Sequence, residues 1–156
     1  MTARRGALVV LAASAAGPWG LWHRAEAASG AGGSRMTFSD QTWADLAAYP
    51  PTDRLIAVVR CRSAEAASPG SRRARHLMQT TVLAGSAQQA VGASLAFQRY
   101  GQGEPPMRPD GVYLVAATLE SKADPWALLE AVPAAESGAA AVLQAAQAEA
   151  GRRIKP

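Results

Sequence analysis

Three side chains that bind soft metals or act as nucleophiles lie near one another in the middle of the chain: Cys61, His76 and Met78. Residues 55–62 and 76–83 have the β-branched, apolar composition of two strands, and the segment 63–74 between them contains a Ser-Pro-Gly-Ser turn sequence. A hairpin of symmetric register would place Cys61 opposite His76, with Met78 two residues further along the same face. Together the three groups would suit a soft ion such as Cu(I), and a Cys–His contact would equally suit an activated nucleophile.

A structural role for Cys61 is the simplest alternative. Cys61 follows Val59 on the expected inward face of the strand, where a free cysteine behaves as a small hydrophobic residue. Because a shift of one residue would turn every side chain to the other face, both chemical roles depend on the register.

Five arginines surround the same hairpin and form the candidate ligand-binding set: Arg60, Arg62, Arg72, Arg73 and Arg75. Alternation places Arg60 and Arg62 on the face opposite Cys61. The planar guanidinium group binds phosphate and carboxylate well, so this edge predicts an anionic ligand. The alternative is a solvated basic edge, since the chain has 14 Arg but 2 Lys. Single-stranded nucleic acid is not expected because the region has few aromatic residues to stack on bases.

The remaining polar residues do not form a recognisable catalytic pattern. The carboxylates are scattered and mostly occupy turns and helix caps, as in Asp110-Gly111. No serine lies in a G-x-S-x-G sequence, so a hydrolytic triad is not expected. We therefore predict that the protein is not an enzyme and needs no cofactor.

The first 27 residues have the order of a secretory signal peptide. Arg4 and Arg5 precede an apolar stretch that reaches about Trp22, and Ala25-Glu26-Ala27 resembles a cleavage site. The arginine pair resembles a twin-arginine signal, although the Sec route and an uncleaved anchor remain alternatives. Cleavage would lower the basic residues from 16 to 13 and the acidic ones from 12 to 11, leaving a net charge of about +2. We expect a periplasmic or secreted protein with no transmembrane segment after cleavage.

The chain has 156 residues, of which 49% are apolar, and this core is sufficient for one small domain. A single Cys excludes an internal disulfide. We expect a flexible leader over residues 28–38, a barrel domain over 39–133, and a C-terminal helix and tail over 134–156. Within the domain a short helix precedes five strands, and the helix that follows is rich in alanine and only loosely docked. The expected strands are residues 55–62, 76–83, 91–100, 112–119 and 126–132.

The predicted fold is therefore mainly β: a small five-stranded antiparallel OB-like barrel with a short N-terminal helix and a C-terminal Ala-rich helix. In the third strand, Val91, Ala93, Leu95 and Phe97 should share the buried face. No alternation of strands and helices indicates a parallel sheet.

The core resembles bacterial netrin-like domains, whose OB-type barrel is shared with the tissue inhibitors of metalloproteinases. The resemblance lies in the strand over residues 54–62, the segment 74–85 that ends in an apolar-Gly turn, the strand 91–100, and Asp110-Gly111 before an aromatic–aliphatic strand. These inhibitors act through an N-terminal Cys on the protease zinc and have disulfide-tied barrels, features that this sequence lacks. The resemblance implies the fold and no inhibitory residue.

The function predicted from these observations is an exported, non-enzymatic binding module. Its partner would be a protein or an anionic envelope component, bound through the barrel loops, with no role for nucleic acid. The alternative is a periplasmic copper-binding protein that uses Cys61, His76 and Met78, and a thiol enzyme is a weaker third hypothesis.

Overall fold

The computed structural model describes residues 37–66, 74–122 and 125–155. The described residues all belong to one compact unit of the chain, residues 36–156. The predicted signal peptide and most of the predicted leader lie outside them. Phe38, which we had assigned to the leader, is 3% exposed and packs against Trp43 with ring centroids 5.3 Å apart. The packed domain therefore begins before Ser39.

Five strands form a closed barrel in the order β1-β2-β3-β5-β4, with one helix before them and one after. The β3–β5 pair is parallel and joins Phe97 to Trp126 and Gln98 to Ala127, whereas the other neighbouring pairs are antiparallel. The mainly β, five-stranded OB-like barrel with helical ends is thus confirmed. The prediction that its sheet is antiparallel throughout is wrong, because closure of the barrel pairs β3 and β5 in parallel and makes the sheet mixed. The elements are α1 (Asp40–Ala47), β1 (Arg54–Ala66), β2 (Arg75–Ala84), β3 (Ser94–Tyr100), β4 (Val112–Thr118), β5 (Trp126–Pro133) and α2 (Ala139–Arg153).

The third strand starts three residues later than its hydrophobic pattern predicts. Gly92 has a φ of 86°, a left-handed conformation that glycine adopts readily, so the chain turns there. Val91 consequently lies in the turn with 73% of its surface exposed, and its predicted place on the buried face is wrong. Phe97 is fully buried as expected, while Ala93 and Leu95 pack against the core.

Alternate side chains from all five strands fill the barrel, as the period of two predicts. Met78, Phe97 and Val115 are among the fully buried members of this inner cluster. Met107 also has no exposed surface and belongs to the same cluster, although it comes from the loop between β3 and β4. That loop therefore contributes to the core and is held by it.

Both helices pack on the outside of the barrel and form a second cluster. Val58, Leu114 and Ala116 face outward from β1 and β4 to meet them. From α2, Ala139, Leu143 and Ala146 are buried in this interface, so the helix that we expected to dock loosely is packed on the barrel. Small alanine side chains permit this close approach.

The N-terminus of α1 is fixed to the barrel by a carboxylate of β5. The Glu130 Oε2 atom accepts hydrogen bonds from the Ser39 backbone N–H at 2.9 Å, the Ser39 hydroxyl at 3.1 Å and the Thr42 hydroxyl at 2.7 Å. A negative charge at this position also complements the helix dipole. Within the described part of the chain, no helix has the length and apolar character needed to cross a membrane.

Candidate binding site at one end of the barrel

The register of the first hairpin separates Cys61 from His76. Cys61 pairs with Thr80, and His76 pairs with Ala66. The symmetric register that we predicted assumed that β1 ends near Arg62, whereas β1 continues to Ala66 and is irregular between Cys61 and Ser63. Four residues of strand correspond to roughly 13 Å, so the predicted Cys61–His76 pair is wrong. Without this pair, the register gives no reason to group Cys61, His76 and Met78 around one metal ion.

Cys61 lies in the apolar interior beside residues such as Met78, and neither has any exposed surface. Burial, together with the negative charge of Asp110, raises the pKa of the Cys61 thiol above its ordinary value, and a backbone hydrogen bond with Ser63 partly offsets this increase. The Sγ–H group donates to the Ser63 carbonyl, 3.4 Å away. A protonated, inaccessible thiol is a poor nucleophile and metal ligand. The described residues contain no group of three or more His, Cys, Asp and Glu able to hold a metal ion.

The three described members of the predicted arginine set do not converge on one site. Arg60 and Arg62 lie on the outer face of β1, as alternation predicts. The Arg60 guanidinium forms an ion pair with Glu136, and the Arg62 Nη2 atom donates to the Ser94 hydroxyl at 3.0 Å. Arg75 lies on the outer face of β2 opposite Tyr100. Arg72 and Arg73 lie outside the described residues.

His76 is the residue for which both polar side-chain atoms are buried without a partner within the described structure. The residue as a whole is 3% exposed, and the two atoms are its ring nitrogens. It faces inward on β2 and is paired with Arg99 of β3, so both residues lie on the same face of the sheet at the end of the barrel. A buried imidazole normally satisfies both nitrogens, because leaving a polar group unpaired costs about 1–3 kcal/mol.

A pocket of about 310 Å³ opens beside this imidazole. We call it the His76 pocket. Tyr100 stands at its edge with 59% of its surface exposed. The described residues that line the pocket are His76, Arg99, Tyr100, Gly101, Gln102, Glu104 and Pro106.

Three contacts hold the loop that forms one wall of the His76 pocket. The Gly101 N–H donates to the Ala74 carbonyl at 3.0 Å and extends the β2–β3 ladder to the edge of the pocket. The buried Met107 side chain holds the middle of the loop in the core. Beyond it, the Arg108 N–H donates to the Tyr113 hydroxyl at 2.9 Å. The pocket therefore has a wall positioned by packing and hydrogen bonds.

Sequence reasoning selected His76 with the wrong neighbours and missed Arg99 and Tyr100. A signal for Arg99 was present, because the alternation that buries Phe97 also turns residue 99 toward the barrel interior. A charged residue at an inward position near the end of a strand indicates that the barrel is open to solvent at that end. Tyr100 carries no such pattern, and its exposure is visible only in the structure.

A second cavity, of about 340 Å³, lies between the start of β1, the β2–β3 turn and α2. Its charged residue, Arg54, is already engaged, since its Nε atom donates to the Tyr49 carbonyl at 2.5 Å. None of the residues described as lining this cavity carries a buried, unpaired polar side-chain atom. The His76 pocket is therefore the stronger candidate.

Comparison of the chain with protein-family models, curated proteins and solved structures gave no match. The netrin-like resemblance of the sequence stays a prediction, and the site must be interpreted from its own chemistry.

Proposed function

We propose that the protein is an exported, non-enzymatic binding module that holds a component of the cell envelope in the His76 pocket. The basic and apolar order of residues 1–27 supports export to the periplasm or beyond. The observation that carries the binding role is the buried imidazole of His76, which has two unpaired ring nitrogens beside an open pocket.

The unpaired imidazole argues for a ligand on energetic grounds. The other inward polar residue in the middle of β2, Thr80, is satisfied, because its hydroxyl donates to the Leu95 carbonyl at 2.9 Å. An apolar side chain at position 76 would avoid the desolvation penalty that the imidazole incurs. A group that is costly in the folded protein is explained when a bound ligand supplies its missing hydrogen bonds.

A binding role fits the pocket better than catalysis. Catalysis by His76 would require a neighbouring nucleophile or a group that orients the imidazole. No side chain within the described ranges hydrogen-bonds to either ring nitrogen, and Cys61 is held elsewhere in the core. The groups that line the pocket instead combine charge, an aromatic surface and hydrogen-bonding capacity, which are the properties of a recognition site.

Site-specific photo-crosslinking in the native host tests this proposal. A photoreactive amino acid replaces Tyr100, which is exposed at the edge of the pocket, or Gln144, which is exposed on α2 as a matched control. Each full-length chain is expressed in the host, illuminated and recovered from separated cytosolic and envelope fractions. We expect the processed chain outside the cytosol and a discrete crosslinked species from position 100 that is absent from position 144.

Two results would overturn the proposal. Retention of the unprocessed chain in the cytosol would remove the export step. Equal crosslinking from both positions, or none from position 100, would show that the His76 pocket is not where this protein meets its ligand.

A further inference from the structure

We infer that the chemical group held in the His76 pocket is an oxyanion, a carboxylate or a phosphate, bound by the Arg99 guanidinium and the His76 imidazole. This inference rests on the proposed function and adds the class of ligand. It follows from the charge of the groups around the pocket, the hydrogen-bonding needs of His76 and the register that places His76 beside Arg99.

Arg99 supplies the charge that selects an anion. Its backbone is fixed by pairing with His76, and its side chain makes no ion pair within the described ranges. Arg60 and Arg153, in contrast, each engage a carboxylate. A guanidinium group presents parallel N–H donors that match the two oxygens of a carboxylate or phosphate.

Glu104 is the acidic residue among those described as lining the pocket, and its charge does not oppose this selection strongly. Its Oε2 atom lies 3.3 Å from the Arg108 guanidinium, and both side chains are more than three-quarters exposed. Charges that are paired and surrounded by water act weakly on their neighbours. Arg99 therefore remains the cation available to a ligand within the described lining.

His76 supplies a hydrogen bond from the floor of the pocket. The imidazole has at least one N–H donor in each of its protonation states, and that donor now lacks an acceptor. The ring torsion of histidine is broad, so a modest rotation turns a nitrogen toward the pocket. An oxyanion would accept from this N–H and from Arg99 together, which relieves the buried donor. Tyr100, next to Arg99, is also among the residues that line the pocket.

Titrations of the full-length chain with matched small molecules test the ligand class. N-acetylmuramic acid carries a carboxylate that N-acetylglucosamine lacks, and glycerol 3-phosphate carries a phosphate that glycerol lacks. The reporters are the ring ¹⁵N signals of histidine in long-range ¹H–¹⁵N spectra. The chain contains only His23 and His76, so a His23→Gln variant assigns the signals. We expect one anionic probe to shift the His76 signals while both neutral probes leave them unchanged.

Two charge-matched variants separate specific binding from general attraction. Arg99→Gln removes the proposed clamp, and Arg152→Gln removes an equally cationic, exposed side chain of α2 that is not among the residues described as lining the pocket. Glu149, the partner of Arg152, keeps its ion pair with Arg153 in this variant. Because a hydrogen bond to a charged group is worth about 1.5–3 kcal/mol, Arg99→Gln should weaken binding by about 10- to 100-fold. Arg152→Gln should change it less than about threefold. Both side chains lie at the surface, so neither variant should impair folding.

The inference fails if no anionic probe moves the His76 signals, or if Arg152→Gln weakens binding as much as Arg99→Gln. Its failure is distinguishable from failure of the proposed function. Crosslinking at position 100 without a response to any anion would support the binding role and reject the oxyanion as the ligand. Anion binding without crosslinking would support the oxyanion and reject the proposed binding of an envelope component. Which probe binds decides between a carboxylate and a phosphate.

Discussion

Replacing His76 with leucine should stabilise the fold. The imidazole is 3% exposed with both nitrogens unpaired, and leucine has a similar volume without polar atoms. Removing buried polar groups that lack partners recovers their desolvation penalty, so His76→Leu should raise the free energy of unfolding by about 1–3 kcal/mol. For a domain of this size the melting temperature should rise by about 3–5 °C for each kcal/mol.

Thr80→Val is the matched control on the same strand. Thr80 is also buried and faces inward, but its hydroxyl donates to the Leu95 carbonyl at 2.9 Å. Thr80→Val removes a hydrogen bond that the folded protein makes, so the free energy of unfolding should fall by about 0.5–1.5 kcal/mol. The two substitutions both replace a polar side chain by an apolar one, and only the hydrogen-bond status of the residue differs.

Urea unfolding monitored by tryptophan fluorescence measures both variants against the unmodified chain, with the midpoint and slope compared at one temperature. If His76→Leu lost as much stability as Thr80→Val, the imidazole would have stabilising partners in the free protein. The argument that His76 is reserved for a ligand would then be wrong.

Three further predictions concern groups that position the barrel and its helices. Glu130→Ala should lower the free energy of unfolding by about 2 kcal/mol, because the Thr42 hydroxyl and two donors of Ser39 lose their acceptor. Thermal unfolding measures this loss, and an unchanged melting temperature would contradict the role of Glu130. Gly111→Ala should lower the melting temperature by several degrees, since a Cβ there would lie 2.6 Å from the Tyr113 ring, whereas an unaffected midpoint would show that the ring moves freely. The raised pKa of Cys61 means that the folded state holds the thiol proton more tightly than the unfolded state, so the free energy of unfolding should fall as the pH rises above about 8.5. A Cys61→Ala variant should not show this fall, and identical pH profiles of stability for the two proteins would refute the prediction.

The architecture could be predicted from the sequence because it depends on local patterns. The β-rich run 55–62, whose second half alternates, and the apolar run 112–119 each identify a strand, and turn residues separate the strands. Serine is a preferred residue at the start of a helix, and the Ser39 hydroxyl accepts from the Thr42 N–H at 3.3 Å at the start of α1. The parallel β3–β5 contact could not be foreseen, because it depends on how the sheet closes in three dimensions.

The site was less predictable because strand pairing is not a local property. Extension of β1 to Ala66 moves the partner of Cys61 from His76 to Thr80, and no residue in the loop sequence reports that length. The same pairing brings Arg99 beside His76 from a different strand. Likewise, Met107 lies in a segment rich in Gly and Pro that predicts an exposed loop, yet its side chain enters the core through tertiary packing.

The central claim is that the imidazole of His76 is held unpaired in order to meet a ligand. The most direct test is to recover the native chain and the His76→Leu variant from the host envelope under mild conditions and to compare the bound molecules by native mass spectrometry. We predict an added mass on the native chain that is absent from His76→Leu, even though that variant is folded and more stable. The same added mass on both proteins, or none on either, would contradict the claim.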